Sequence, residues 1–225
     1  MTDSQDQLFK IDPEFKSLIP VLTAEEKAGP QEPIVSHGLL HAVTVWEETG
    51  LLSDGHNRYD ICRELGRLGR SRLISLPSRK AALNWIVQNQ LSRRNLTPEQ
   101  KSYLRGKLYE QGKRDREANL KQNLSMGKNC PSAETTAEKL GREHKVSERT
   151  IKNDAKYAAA VDTISENKPG IRRQILSRDT KITKTDVEAV VSLPDRERAE
   201  VAARGEKAIA KKGREIREQS RSVER

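Results

Sequence analysis

The sequence predicts an α+β front domain, an all-α domain behind it and a charged helical tail. Three observations carry this. Two short apolar runs, AVTVW at 42–46 and LLS at 51–53, flank a Gly-containing four-residue turn, and a helical pattern follows them. Behind them the segment 135–161 has the pattern of two helices joined by a tight turn. The last stretch, 195–225, is rich in Arg, Glu, Ala and Lys and has only a thin apolar stripe. The expected divisions are a lead-in at 1–30, the α+β domain at 31–112, a linker at 113–132, the helical domain at 133–194 and the tail at 195–225.

Each element has a local cause. Pro13, Pro20 and Pro30 break any long helix in the lead-in, which reads as extended. Residues 31–37 make at most one helical turn before Gly38. The hairpin strands follow, and Asp54-Gly55 ends the second. Residues 56–66 read as a helix with Arg58, Ile61, Cys62 and Leu65 on one face and Gly66 as its stop. RLISL at 72–76 is a third strand, and Ser78 caps a helix to about Leu91 with Ala82, Trp85, Ile86 and Asn89 on its stripe. Thr97 caps the next helix, Pro98 takes its first position and Gln100 completes a capping box; Gly112 reads as its end. Residues 113–132 are polar, with Gly127 and Pro131, and read as a linker. Thr135 and Glu138 form a second capping box.

Composition narrows the function classes. The 225 residues are 34% hydrophobic and only 4% aromatic, so the core is lean and aliphatic. No apolar run approaches ~18 residues, so no membrane partner is expected. MTDSQDQLFK lacks the apolar stretch of a secretory signal, and Cys62 and Cys130 are too few for a disulfide framework; a cytoplasmic setting is expected. Residues 1–70 hold 7 Lys and Arg against 12 Asp and Glu, while 71–225 hold 35 against 21, so the front carries −5 and the rear +14. A basic rear points to phosphates, with solvated helix faces as the bland alternative.

The segment LLSDGHNRYDICRELG concentrates the chemistry. A strand ends and a helix begins at Gly55, and a helix N-terminus attracts phosphate through its unpaired N–H groups and partial positive charge. His56, Asn57 and Arg58 stand in the first turn with side chains able to donate to phosphate oxygens. Asp54 can act as a base, hold a metal-bound water, or cap the helix. His37 and His41 stand four apart, but no Cys or carboxylate completes a zinc set, so no metal site is expected. Cys62 reads as a small buried apolar residue.

The same segment resembles the N-terminal domain shared by ParB partition proteins and sulfiredoxin. HGLLHAVTVW at 37–46 looks like that family's first box, with Ala42 and Trp46 where Pro and Arg are usual. Gly55, His56, Asn57 and Arg58 match its Gly-Glu-Arg-Arg phosphate box in order. NQLSRRNLTPEQ at 89–100 is similar to the third box, with Leu96, Thr97 and Pro98 on its Leu-Asn-Pro turn. The resemblance implies a ParB/sulfiredoxin-like α+β fold and a phosphate or nucleotide site at Gly55, His56, Asn57, Arg58, Arg93 and Arg94, with CTP or ATP as the ligand. Where the family often has a Glu-Asn pair as magnesium ligands, this chain has Asn89-Gln90, and a neutral pair holds Mg²⁺ poorly. Sulfiredoxin chemistry needs a cysteine at the phosphate turn, and none stands there.

TTAEKLGREHKVSERTIKNDAKYAAAV reads as a helix–turn–helix. Ala137, Leu140 and Gly141 face inward, Val146 plugs the turn, and Ile151, Ala155 and Ala158 form the inner stripe of the second helix. Ser147 caps that helix, with Thr150 beside it, and Arg149, Lys152, Asn153 and Lys156 share the outer face. Arg and Asn suit base edges, Lys suits phosphates; the bland alternative is a helical hairpin with a solvated basic face. Lys145 stands where this motif often has Gly, which allows a longer turn. Ile175, Leu176, Ile182, Val187, Val190, Val191 and Leu193 supply two short helices packed behind it, an arrangement similar to KorB-type and plasmid or phage ParB-like proteins. The expected function is sequence-specific binding of double-stranded DNA by a homodimer, in partition or transcriptional regulation, gated by a phosphate ligand. The alternative is a kinase or nuclease with Asp54 and His56 at the chemistry.

Overall fold

The structure is a computed structural model. It describes residues 9–19, 41–66, 70–93, 96–125, 134–166, 168–177 and 180–223, with only the backbone at 115–125, Pro169 and Val223. The expected turn at 31–37, Arg94 and Cys130 lie outside the described residues. The chain divides into two compact units, Met1–Arg94 and Asn95–Arg225. Among the described residues no helix is long and apolar enough to cross a membrane.

The first unit runs α1 (Pro13–Ser17), β1 (Val43–Trp46), β2 (Leu51–Asp54), α2 (His56–Glu64), β3 (Ser71–Ile74) and α3 (Arg79–Leu91). The sheet order is β2-β1-β3, with β1 antiparallel to β2 and parallel to β3. The hairpin closes at Gly50, whose φ of 71° suits glycine and whose N–H donates to Trp46 O at 2.9 Å. Parallel pairing of β3 with β1 requires a crossover, and α2 supplies it. The β1–β2 register slips between Thr44 and Val45: Thr44 pairs with Asp54 and Val45 with Leu52. The extra residue is Ser53, immediately before Asp54.

Val43 and Val45 of β1, Leu52 of β2 and Tyr59, Ile61 and Cys62 of α2 form the core, closed by Phe9, Ile11 and Leu65. Cys62 is thus a core residue, as its place on the apolar face of α2 predicts. The lead-in is not wholly extended. Asp12 accepts from the N–H groups of Glu14 and Phe15 at 2.9 and 3.2 Å, Pro13 takes the first helical position, and a five-residue helix forms. That helix buries Phe15 beside Trp46, with ring centroids 6.4 Å apart. Arg79 lies over the Phe15 ring and binds Asp12 and Glu14, fastening α1 to the start of α3.

The second unit is helical: α4 (Pro98–Ser125), α5 (Thr136–His144), α6 (Glu148–Ser165), α7 (Pro169–Ile175), α8 (Lys184–Val191), α9 (Asp195–Arg204) and α10 (Glu206–Val223). Helix α6 is central, with Ile151, Ala155, Ala158 and Val161 buried against α4, α5, α7 and α8. Two expected boundaries are corrected here. The α4 helix belongs to this unit rather than to the front domain, and it runs through Gly112 to Ser125, into the expected linker. The glycines of α4 explain it. A Cβ on Gly106 would collide with the carbonyl oxygen of Asp154, and one on Gly112 would stand 2.6 Å from the Thr136 methyl. Gly112 permits a close helix approach and does not stop the helix.

Two buried carboxylates, Asp154 and Asp186, and the half-buried Asp162 bolt the unit together. Asp154 on α6 receives Ser102 and Arg105 of α4, with Lys184 of α8 at 3.7 Å. Asp162 receives Tyr103, Lys107 and Arg172 at 2.8, 2.8 and 3.0 Å. Asp186 completes a capping box with Thr183 and binds Arg217 of α10. The tail is therefore two helices broken at Gly205. Its second helix docks despite a thin stripe, because Gly213 lets the Asp186 backbone come within 2.6 Å of where a Cβ would stand, beside buried Ile209.

Candidate functional site

In the first unit the expected phosphate residues other than Arg94 lie around the end of β2 and the start of α2. Gly55 is the N-cap of α2, with φ of 89° and no side chain to cap the helix. Its Cα side faces β1: an added Cβ would stand 2.9 Å from Val43 Cγ1 and 3.2 Å from Arg58 Nη2. Glycine is required there by the left-handed turn and by packing on β1, rather than only by close approach of a ligand.

Asp54 lies at the centre of the cluster. Arg58 Nη2 donates to Oδ2 at 3.3 Å, Gln90 Nε2 donates to Oδ1 at 3.4 Å, and Arg93 is bound to Oδ1 as well. Arg58 also donates from Nη1 to the carbonyl oxygens of His41 and Ala42, at 2.7 and 3.3 Å. One guanidinium thus ties the approach to β1, the end of β2 and the first turn of α2. Asn57 stands half-buried beside it.

His56 is 1% exposed, and among the described residues neither ring nitrogen has a hydrogen-bond partner. Burial pushes the imidazole down to about 4, with Lys16 assisting and Asp54 and Asp60 opposing. At neutral pH it is an uncharged ring, so it offers hydrogen bonds and no cationic charge to a phosphate. Gln90 is fully buried, and its Oε1 also lacks a partner. The apolar stripe of α3 predicts Asn89 inward; the chain instead turns Gln90 in, to reach Asp54. Gln90 is the site residue that periodicity misses, because its cause is a carboxylate 36 positions away. Among the described residues no group of three His, Cys, Asp or Glu is placed to hold a metal.

The second unit carries the other set. Thr135 and Glu138 cap α5 reciprocally. Lys145 takes the left-handed conformation, φ 55°, with Val146 N–H on Gly141 O at 2.9 Å and Lys145 N–H on Arg142 O at 3.4 Å. That is a Schellman stop made without glycine, so the turn is not lengthened. A Cβ on Gly141 would stand 2.8 Å from Val146 O, which is why a small residue is needed there. Ser147 then caps α6, accepting from Thr150 N–H at 3.1 Å. Ile151, Ala155 and Ala158 are buried, while Arg149, Lys152, Asn153 and Lys156 are exposed on the opposite face. Lys152 leans on Glu148 at 3.5 Å. His144, at the end of α5, is held below its ordinary value by burial and by Arg105.

No family model matches the sequence, and no curated protein matches it. Solved structures do. A Pnob8-like ParB-N domain is similar over 96% of this chain and 93% of its own, with a TM-score of 0.51 and 19% identity. A pNOB8-like ParB N-domain covers 82% of this chain and 71% of its own, at a TM-score of 0.48 and 18% identity. With its small three-stranded sheet and its many helices, the chain has the mixed α/β fold of a ParB N-domain.

Proposed function

We propose that this chain is a sequence-specific binder of double-stranded DNA of ParB-like type, acting in partition or transcriptional regulation, with a front unit that holds a nucleotide's phosphates. The observation that carries the reading is α6. Its inner face is packed, and its outer face presents Arg149, Lys152, Asn153 and Lys156 behind a capped N-terminus with Ser147 and Thr150. In a helix–turn–helix the second helix enters the major groove by its N-terminal residues. Arg149 and Asn153 suit guanine and adenine edges there, and Lys152 and Lys156 suit phosphates. The rear surplus of +14 supports attraction to a polyanion. A homodimer would match a two-fold operator.

At the front, Arg58, Arg93 and the N-terminus of α2 support an anion site for CTP or ATP phosphates. Asn89 and Gln90 offer amides and no carboxylate, which does not suit Mg²⁺, so no step is assigned to a metal. The kinase or nuclease alternative has less support: Asp54 is bound to two arginines and His56 is enclosed. Duplex affinity should fall steeply between ~50 and ~200 mM salt, and titration of CTP and ATP should show binding that Arg93→Ala weakens. Salt-indifferent DNA affinity would sink the first half, and no nucleotide binding by the folded chain the second.

A further inference from the structure

We infer that Asp54 is an internal stand-in for a ligand's phosphate, a carboxylate that the phosphate displaces from Arg58 and Arg93. This rests on the front unit holding phosphate, and it adds a regulation to that site. Carboxylates and phosphates compete for the same guanidinium donors. Arg58 keeps Nη1 on the His41 and Ala42 carbonyls, so only Nη2 is given to Asp54. That arm passes 3.2 Å from where a Gly55 Cβ would stand, at the very start of α2. The shared donors therefore lie where a helix N-terminus already favours an anion.

Three further observations agree. The Arg58 and Arg93 side chains are 27% and 41% exposed while that of Asp54 is 13% exposed, so the arginines form the open side of the cluster. The charge of Asp54, Arg58 and Arg93 together is +1, so an arriving anion is still attracted. The hydrogen bonds around Asp54 are also incomplete. Gln90 reaches the carboxylate with Nε2 and, among the described residues, leaves Oε1 without a partner, and both nitrogens of buried His56 lack one there too. A buried polar group without a partner is costly, and a ligand that carries both donors and acceptors beside its phosphate would supply what is missing. In the ligand-bound state Asp54 gives up the guanidinium arms, and its charge opposes the phosphate that took them. Asp54 thus sets a threshold: the ligand binds more weakly than the arginines alone would allow.

The test titrates inorganic pyrophosphate into the full chain and its Asp54→Asn variant. Removing the competing charge should tighten binding by tenfold or more. In the wild type, the side-chain carboxyl NMR signal of Asp54 should shift together with the guanidinium signals of Arg58 and Arg93 as pyrophosphate saturates. A folded Asp54→Asn chain that binds equally or more weakly overturns the inference while leaving the phosphate site standing. So does an Asp54 signal that stays unmoved at saturation, a reading that needs only the wild type if the variant fails to fold. Binding by neither chain removes the phosphate site and this inference with it.

Discussion

Both units bury carboxylates against arginine, and they complete them differently. In the rear unit Asp154 takes Ser102 and Arg105 from α4 and Lys184 from α8. Asp162 and Asp186 are likewise filled from neighbouring helices. In the front unit Asp54 is filled too. Among the described residues unpartnered buried atoms occur beside carboxylates in both units, but at the rear they are single Nε atoms of Arg172 and Arg217, and at the front they include both ring nitrogens of His56 and the Gln90 Oε1. A carboxylate whose donors come from packed neighbouring helices joins elements, whereas one beside a wholly unpartnered buried imidazole marks a place prepared for something else. Stability should therefore dominate the response to substitutions at the rear carboxylates, and ligand affinity or pH dependence the response around Asp54.

The largest expected effect is Asp154→Ala, which leaves the largely enclosed Arg105, and Ser102, without their buried partner and should cost about 3–5 kcal/mol. Chemical denaturation followed by far-ultraviolet circular dichroism measures it. A loss under ~1 kcal/mol would place Asp154 among surface ion pairs and break the contrast.

His56 sharpens the other side. Its folded value of about 4 lies below the ordinary 6.5. Above pH 6.5 both folded and unfolded imidazole are neutral and nothing is lost. As pH falls from 6.5 towards 4 the unfolded chain takes the proton first, so front-unit stability should drop by about 3 kcal/mol across that window. Both tryptophans, Trp46 and Trp85, lie in the front unit, so their fluorescence reads it. His56→Leu should remove this pH slope, hold stability at neutral pH and weaken phosphate binding. A slope unchanged in His56→Leu would assign it to other groups.

The smallest effect is a gain. Lys145 adopts a left-handed conformation that costs an L-residue ~1–2 kcal/mol. Lys145→Gly relieves this and loses part of it to chain entropy, so the rear unit should gain about 0.5–1 kcal/mol. No gain in the denaturation midpoint would mean the turn is held in that shape by its surroundings alone.

Much of this was written in local sequence. The caps at Ser78, Thr97, Thr135 and Ser147, the hairpin turn at Gly50 and the stop at Gly66 each depend on residues within a turn or two. What failed to show depends on distant partners. Gly112 looks like a helix stop until Thr136 is known to lie against it. Arg93 enters the expected site only through the family resemblance, and the stripe of α3 leaves Gln90 off its inward face; their common cause, Asp54, is distant in sequence. The short α1 was signalled by Asp12-Pro13, but three prolines in thirty residues argued louder for an extended chain.

The reading of DNA by the outer face of α6, proposed above, has a direct test. The direct measurement selects a duplex with the wild type, then compares binding to that duplex and to a scrambled one at fixed salt. Arg149→Ala and Asn153→Ala should lose roughly 1–3 kcal/mol on the selected duplex and little on the scrambled one. Lys156→Ala should weaken both alike and lower the salt slope by about one. If all three substitutions weaken every duplex equally, or none does, α6 is not the reading helix.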